Sequence, residues 1–113
     1  MARDVFPTPT ELEILLALLD GQRHGYGIKL AVEERTEGRL KLGSGTLYEA
    51  IQRLERGGMI REAEAPPAQG QRAAKRRFYQ LTDEGFGRLE REIARLEATV
   101  RFARAHPRLA EGV

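Results

Sequence analysis

Residues 44–58 read Ser-Gly-Thr-Leu-Tyr-Glu-Ala-Ile-Gln-Arg-Leu-Glu-Arg-Gly-Gly, and the reading of the whole chain turns on them. Leu47, Ile51 and Leu54 recur at i, i+4 and i+7, which puts them on one side of a helix. Thr46, Glu49, Gln52, Arg53 and Arg56 fall on the opposite side. Ser44 is placed to cap this helix, and the Gly57-Gly58 pair stops it. A helix with so polar an outer side is either merely solvated or turned toward a partner. The flanking segments have to decide between the two.

Downstream, residues 59–64 and 76–81 read as two strands, joined by a loop around Pro66-Pro67-Ala68-Gln69-Gly70 that is too long for a tight hairpin. Upstream, Leu40-Lys41-Leu42 alternates over a short span and is expected to be a strand stub. Gly25-Tyr26-Gly27 opens a helix carrying Ile28, Leu30, Ala31 and Val32, with Gly38 just past its end. Thr8-Pro9-Thr10-Glu11 has the form of a capping box with proline at the first helical position. The helix it opens carries Leu12, Leu15, Leu16 and Leu19, widened by Ile14 and Leu18, so more than one neighbour must cover it. Thr82 caps the last helix, in which Phe86, Leu89, Ile93, Leu96, Val100 and Ala103 alternate by three and four, a heptad seam.

Helix, helix, strand stub, helix, strand, loop, strand, helix is the order of a winged helix-turn-helix: mainly α, with a small β-hairpin as the wing. Residues 1–82 form that unit, 83–105 a C-terminal dimerisation helix and 106–113 a tail. At 113 residues, with 41% hydrophobic and 32% charged, the chain is sized and balanced for one globular domain. It has no cysteine, no apolar run long enough to span a membrane and no signal-peptide pattern, so a cytoplasmic setting without membrane is expected. His24 and His106 have no evident metal or nucleophile partner, and Gly43-Ser44-Gly45 lacks the spacing and lysine of a phosphate-binding loop. No enzyme activity, metal or cofactor is expected, and both histidines read as surface residues.

Nineteen basic against seventeen acidic residues leave a charge of only +2, so placement matters more than total. Residues 65–82 contain Arg72, Lys75, Arg76 and Arg77 and no acid, a local +4 that leaves the rest of the chain net negative. Such a cluster suits a wing touching DNA phosphates, although charge also guards an edge strand against aggregation. Phe78, Tyr79 and Leu81 are expected to anchor this strand in the core. In the third helix, the small first turn Ser44-Gly45-Thr46 lets a phosphate approach free N–H groups. The hydroxyls of Ser44 and Thr46 and the Gln52 amide can reach phosphates or base edges, and Glu49 can accept from a cytosine amino group.

Four stretches, in order and suitably spaced, resemble the PadR family of transcriptional regulators. They are His24-Gly25-Tyr26-Gly27-Ile28, Gly43-Ser44-Gly45-Thr46-Leu47-Tyr48, Leu54-Glu55-Arg56-Gly57-Gly58-Met59-Ile60 and Arg77-Phe78-Tyr79-Gln80-Leu81-Thr82-Asp83-Glu84-Gly85. The likeness runs from about Thr8 to Ala103. It implies a dimeric repressor of a roughly palindromic operator, binding double-stranded DNA and released by a small-molecule effector. It also implies that Ser44, Thr46, Tyr48, Lys75, Arg76 and Arg77 occupy positions that meet DNA, with Tyr26 and Lys29 near its backbone. Arg53 and Arg72 complete the expected DNA-facing set.

The chain is similar to short members that end one helix after the wing, but it has no tryptophan to stack on a flat effector. Phe86 and Phe102 are placed either to line such a cavity or to belong to the seam. Six seam positions exceed what one small subunit can cover, so a homodimer is expected. Its surface would comprise Phe86, Leu89, Ile93, Leu96, Val100 and Ala103, packed against Leu12, Leu15 and Leu16 of a partner's first helix. Glu90, Glu92 and Glu97 flank the seam and would place acid near acid between facing copies, which argues against a simple two-stranded coil. The alternative is a winged-helix dimer that binds protein, kept open by Glu49 and Glu55 on the third helix.

Overall fold

A computed structural model describes residues 6–65 and 76–110. Its elements are α1 (Pro9–Ala17), β1 (Arg23–His24), α2 (Gly25–Arg35), α3 (Ser44–Arg56), β2 (Ile60–Ala63), β3 (Phe78–Leu81) and α4 (Asp83–Arg104), followed by a 3₁₀ turn at Pro107–Leu109. The helix starts follow local chemistry. Thr8 Oγ1 accepts from Glu11 N–H at 3.1 Å while Glu11 Oε1 accepts from Thr8 N–H at 2.9 Å, the reciprocal box that opens α1. Thr82 Oγ1 accepts from Gly85 N–H at 2.9 Å to open α4.

The core is built where the three short helices meet. Ile14, Leu15 and Leu18 from α1 and its end, Ile28 and Val32 from α2, and Leu47, Ala50, Ile51 and Leu54 from α3 are all buried. Two carboxylates of α1 pin the other helices from outside: Glu13 pairs with Arg35 of α2, and Glu11 with Arg53 of α3 at 2.9 Å. The sheet has the order β1-β3-β2, antiparallel throughout, with Ile60 opposite Leu81 and Ala63 opposite Phe78. Phe78, Tyr79 and Leu81 are buried, so the wing strand is anchored as its aromatic sequence implied.

The third strand is not where the alternation of Leu40-Lys41-Leu42 put it. Arg23 and His24 pair with Tyr79 and Phe78 and fill the free edge of β3. Leu42 instead drops into the core as a plug, and the loop before it is held by Leu40 N–H donating to Thr36 Oγ1 at 3.2 Å. Arg23 is committed to its place by Nε donating to the carbonyl of Ala17 at 2.7 Å. A second correction concerns α3: the N-cap is Gly43, Ser44 is already the first helical residue, and no side chain caps this helix.

α4 docks through a close approach. A Cβ added at Gly85 would lie 2.0 Å from the carbonyl oxygen of Met59, so only glycine lets the helix start against the α3–β2 turn. Beyond that contact the expected seam divides. Leu89, 4% exposed, is buried in its own subunit and Leu96 is half-buried, whereas Phe86, Ile93 and Val100 are 47%, 38% and 54% exposed. Glu92, which the heptad reading puts on the flank of the seam, takes an inward position. It is buried, bound by Arg95 at 2.6 and 3.0 Å, and Arg95 in turn lies 4.2 Å over the Phe6 ring. The Arg95 hydrogen bonds outweigh burial and hold the Glu92 carboxyl below its ordinary range. Leu15, fully buried in the core, and Leu89 therefore leave the expected dimer surface.

Candidate nucleic-acid interface

The inner side of α3 is spent on the core, which forces Ser44, Gly45, Thr46, Tyr48, Glu49 and Gln52 outward, all of them exposed. Among the described residues, the first turn of α3 has no side-chain acceptor for its N–H groups, in contrast to α1, α2 and α4. Tyr48 does more than face outward. A Cβ at Gly25 would sit 2.7 Å from the Tyr48 hydroxyl, so the phenol lies across the start of α2 and joins the two helices. Tyr26, in the first turn of α2, projects into solvent beside it.

The cations are less uniform than their sequence positions suggest. Lys29 bonds Glu33 at 2.7 Å, and that hydrogen bond raises the pKa of its ammonium, so it reaches solvent already paired. Arg53 is turned back onto Glu11 of α1 at 2.9 Å, so its charge also brings α1 and α3 together. Arg77 stands 3.5 Å from Glu62 with both side chains exposed, a loose pair worth little in water. Arg72 and Lys75 lie outside the described residues.

Arg76 leads to a residue that the sequence reading set aside as a surface turn. His24 caps α2: its Nδ1 accepts from Gly27 N–H at 3.0 Å. Its ring meets Phe78 edge to face with centroids 5.2 Å apart, and its Nε2 lies 3.0 Å from Arg76 Nη1. Burial first, and the Arg76 charge second, lower the His24 pKa. One neutral imidazole thus ties the start of α2 to the root of the wing. The available signal was the position of His24 three residues before Gly27, the reach of an N-cap, although histidine is not among the favoured capping residues.

The residues brought together are therefore an uncapped helix start, a tyrosine-bridged second helix and a cationic strand root on one surface. The family model for PadR-like transcriptional regulators matches residues 14–91. The chain belongs to that family. A PadR family transcription regulator from Clostridium difficile shares the fold with a TM-score of 0.69, at 24% identity over 84% of this chain and 94% of that one. Bacillus subtilis PadR in complex with operator DNA aligns at 25% identity with a TM-score of 0.60, over 74% of this chain and 45% of that chain. An uncharacterised 37.1 kDa protein in transposon TN4556 of Streptomyces fradiae is 38% identical over 93 residues, 80% of this chain but 24% of that protein. A second relative, from Lysinibacillus sphaericus, is 32% identical over 72 residues, and this PadR-like chain spans 63% of it. Among the described residues, no helix is long and apolar enough to cross a membrane.

Proposed function

We propose that this PadR-like chain is a dimeric repressor that grips a two-fold DNA operator through α3 and the wing. The supporting observation is the division of α3: Leu47, Ala50, Ile51 and Leu54 are buried, while the outer residues from Ser44 to Gln52 are left for a partner. Ser44, Gly45 and Thr46 meet a phosphate, Gln52 and Glu49 read base edges, and Tyr26, Tyr48, Arg76 and Arg77 flank them on the backbone. Arg72 and Lys75 extend the wing's reach, and Lys29 contributes its charge by exchanging Glu33 for phosphate.

The second copy is called for by α4. Phe86, Ile93 and Val100 leave an apolar stripe in water that a lone chain does not cover. Glu90 and Glu97 lie along the stripe and Arg101 and Arg104 near its far end, all exposed. An antiparallel crossing puts acid opposite base, which a parallel one does not. Leu12 and Leu16 of the partner's α1, both half-buried in one chain, complete the contact with Leu96 and Ala103. A small-molecule effector that alters this crossing would change half-site spacing and release the operator. These events belong in the cytoplasm, where the operator is.

Selection from random duplexes tests the assignment. Enrichment of a two-fold motif, with affinity falling by orders of magnitude between low and moderate salt, is the expected outcome. Recovery of no sequence, with salt-insensitive capture of protein partners, would establish the protein-binding alternative.

A further inference from the structure

The contact between His24 and Arg76 does not balance. Three N–H hydrogens compete for the two nitrogens of one imidazole: Gly27 N–H at Nδ1, Arg76 Nη1–H at Nε2, and the ring's own N–H. A neutral imidazole has one accepting nitrogen and a protonated one has none. Whichever tautomer is drawn, one donor faces another. Gly27 is the third residue of α2, so its N–H has no acceptor within the helix and needs Nδ1. The ring hydrogen therefore sits on Nε2 and points at the Arg76 guanidinium, which can only donate. Among the described residues nothing else accepts from Arg76. Two donors thus face each other 3.0 Å apart at the surface, a contact that an acceptor relieves only by sitting on the Nε2–H line while the exposed Arg76 side chain swings aside to meet it.

We propose that His24 and Arg76 form a two-donor clamp that takes one DNA phosphate oxygen at the root of the wing, a contact resting on the DNA-binding reading above. An anionic oxygen accepts both N–H groups at once and turns the mismatch into a pair of bonds, at least one of them charge-assisted. The clamp's place in the fold suits that ligand. Tyr48 of α3 lies on Gly25, Gly25 follows His24, and His24 pairs across the sheet with Phe78 just after Arg76. One surface therefore runs from the recognition helix to the wing, with the clamp between them. The edge-to-face contact with Phe78 and the cap on Gly27 fix the ring, so the Nε2–H direction is set before DNA arrives.

The test uses the full chain, a mixed-sequence duplex of about 30 base pairs, long enough for two half-sites a turn apart, and the variants His24→Asn and His24→Asp. Both replacements can still cap α2 through a side-chain oxygen, so melting temperature serves as the control for folding. His24→Asn is expected to weaken duplex binding about tenfold, the size of one lost bond to a charged group. His24→Asp, which gives Arg76 a carboxylate in place of the phosphate, is expected to weaken it about a hundredfold. In an Arg76→Ala background, His24→Asn should change affinity less than about twofold, because the partner of the clamp is already gone. In the wild type, the imidazole ¹⁵N signal should show the hydrogen on Nε2, and its exchange should slow when duplex is added. Inorganic phosphate at matched ionic strength should leave that signal unchanged.

Wild-type affinity in both single variants, with a ring signal indifferent to duplex, would overturn the clamp while leaving DNA binding intact. An equal response to inorganic phosphate would make the pair a general anion site and overturn its assignment to DNA. A wild-type chain that ignores the duplex at low salt would remove the DNA reading and the clamp together.

Discussion

The outer faces of α3 and α4 are both open to water, yet they are made of opposite materials. α3 shows hydroxyls, an amide, a carboxylate and a phenol from Ser44 to Gln52, while α4 shows Phe86, Ile93 and Val100. Exposed polar groups cost nothing in water and wait for a partner that offers donors and acceptors. Exposed aromatic and branched side chains cost free energy until another apolar surface covers them. On the proposed function, the same geometry, one side of an amphipathic helix, serves nucleic acid in one place and a second copy in the other. On that proposal the two faces also have different needs: α4 would pair copies without DNA, whereas α3 would read an operator tightly only with a second α3 held at the right distance.

Charge on the apolar face breaks the comparison most completely. Ile93→Glu puts a carboxylate in the middle of the stripe, and sedimentation should show a monomer. Operator affinity should drop by about a thousandfold, since the second half-site no longer binds as an intramolecular event. A monomer with full operator affinity would separate the two faces and refute their coupling.

The link between the faces is the docking of α4 at Gly85. Gly85→Ala forces a methyl group onto the Met59 carbonyl, 2.0 Å away, so backbone has to move. Urea unfolding should show a loss of about 2–3 kcal/mol, the cost of overpacking a rigid contact. An unchanged midpoint would mean that α4 is less firmly seated than its glycine implies.

Within the polar face, backbone and base contacts can be told apart. Arg76→Ala with Arg77→Ala should weaken all duplexes alike and lower the salt slope by about 2, one for each cation withdrawn. Gln52→Ala should leave the slope intact and lose about 1–2 kcal/mol of preference at a single base pair. Equal losses on operator and random DNA would take Gln52 out of base reading.

Much of this division was visible before any coordinates. Thr8 and Thr82 announced their helices, since caps are local and depend on side chains three residues apart. Leu47, Ile51 and Leu54 named the buried side of α3 through their period alone. What escaped were features set by distant parts of the chain. Arg53 lies 42 residues from the Glu11 that captures it, and no periodicity encodes that pairing. β1 is two residues long, too short for alternation to register, so Leu40-Lys41-Leu42 took its place in the reading. Heptad spacing marks a stripe on α4, and the broad apolar surface of α1 marks Leu15, without saying what covers either, so Leu89 and Leu15 read as partner contacts although both belong to the subunit's own core. His24 was overlooked because its role lies in three contacts made by one ring, to Gly27, Phe78 and Arg76.

The smallest expected effect concerns that ring and the pH. In the folded chain, burial and then Arg76 lower the His24 pKa, whereas the unfolded chain keeps a value near 6.5. As pH falls below about 6.5 the unfolded state takes up a proton that the folded state still refuses, so stability is lost. The loss continues as the pH passes through the lowered folded-state pKa and then levels off. Protonation also turns Nδ1 into a donor and ends the cap on Gly27, which gives the shift a structural cause. Urea midpoints measured between about pH 7.5 and 5 should therefore fall for the wild type and fall less for His24→Asn, whose amide does not titrate. The window sits above the carboxylate range, so Glu92, whose lowered pKa makes its stabilising bond to Arg95 fail only in stronger acid, does not contribute. Parallel curves for the two proteins would mean that the imidazole is no more constrained in the fold than in the open chain, and the link it makes between α2 and the wing would have to be carried by Phe78 alone.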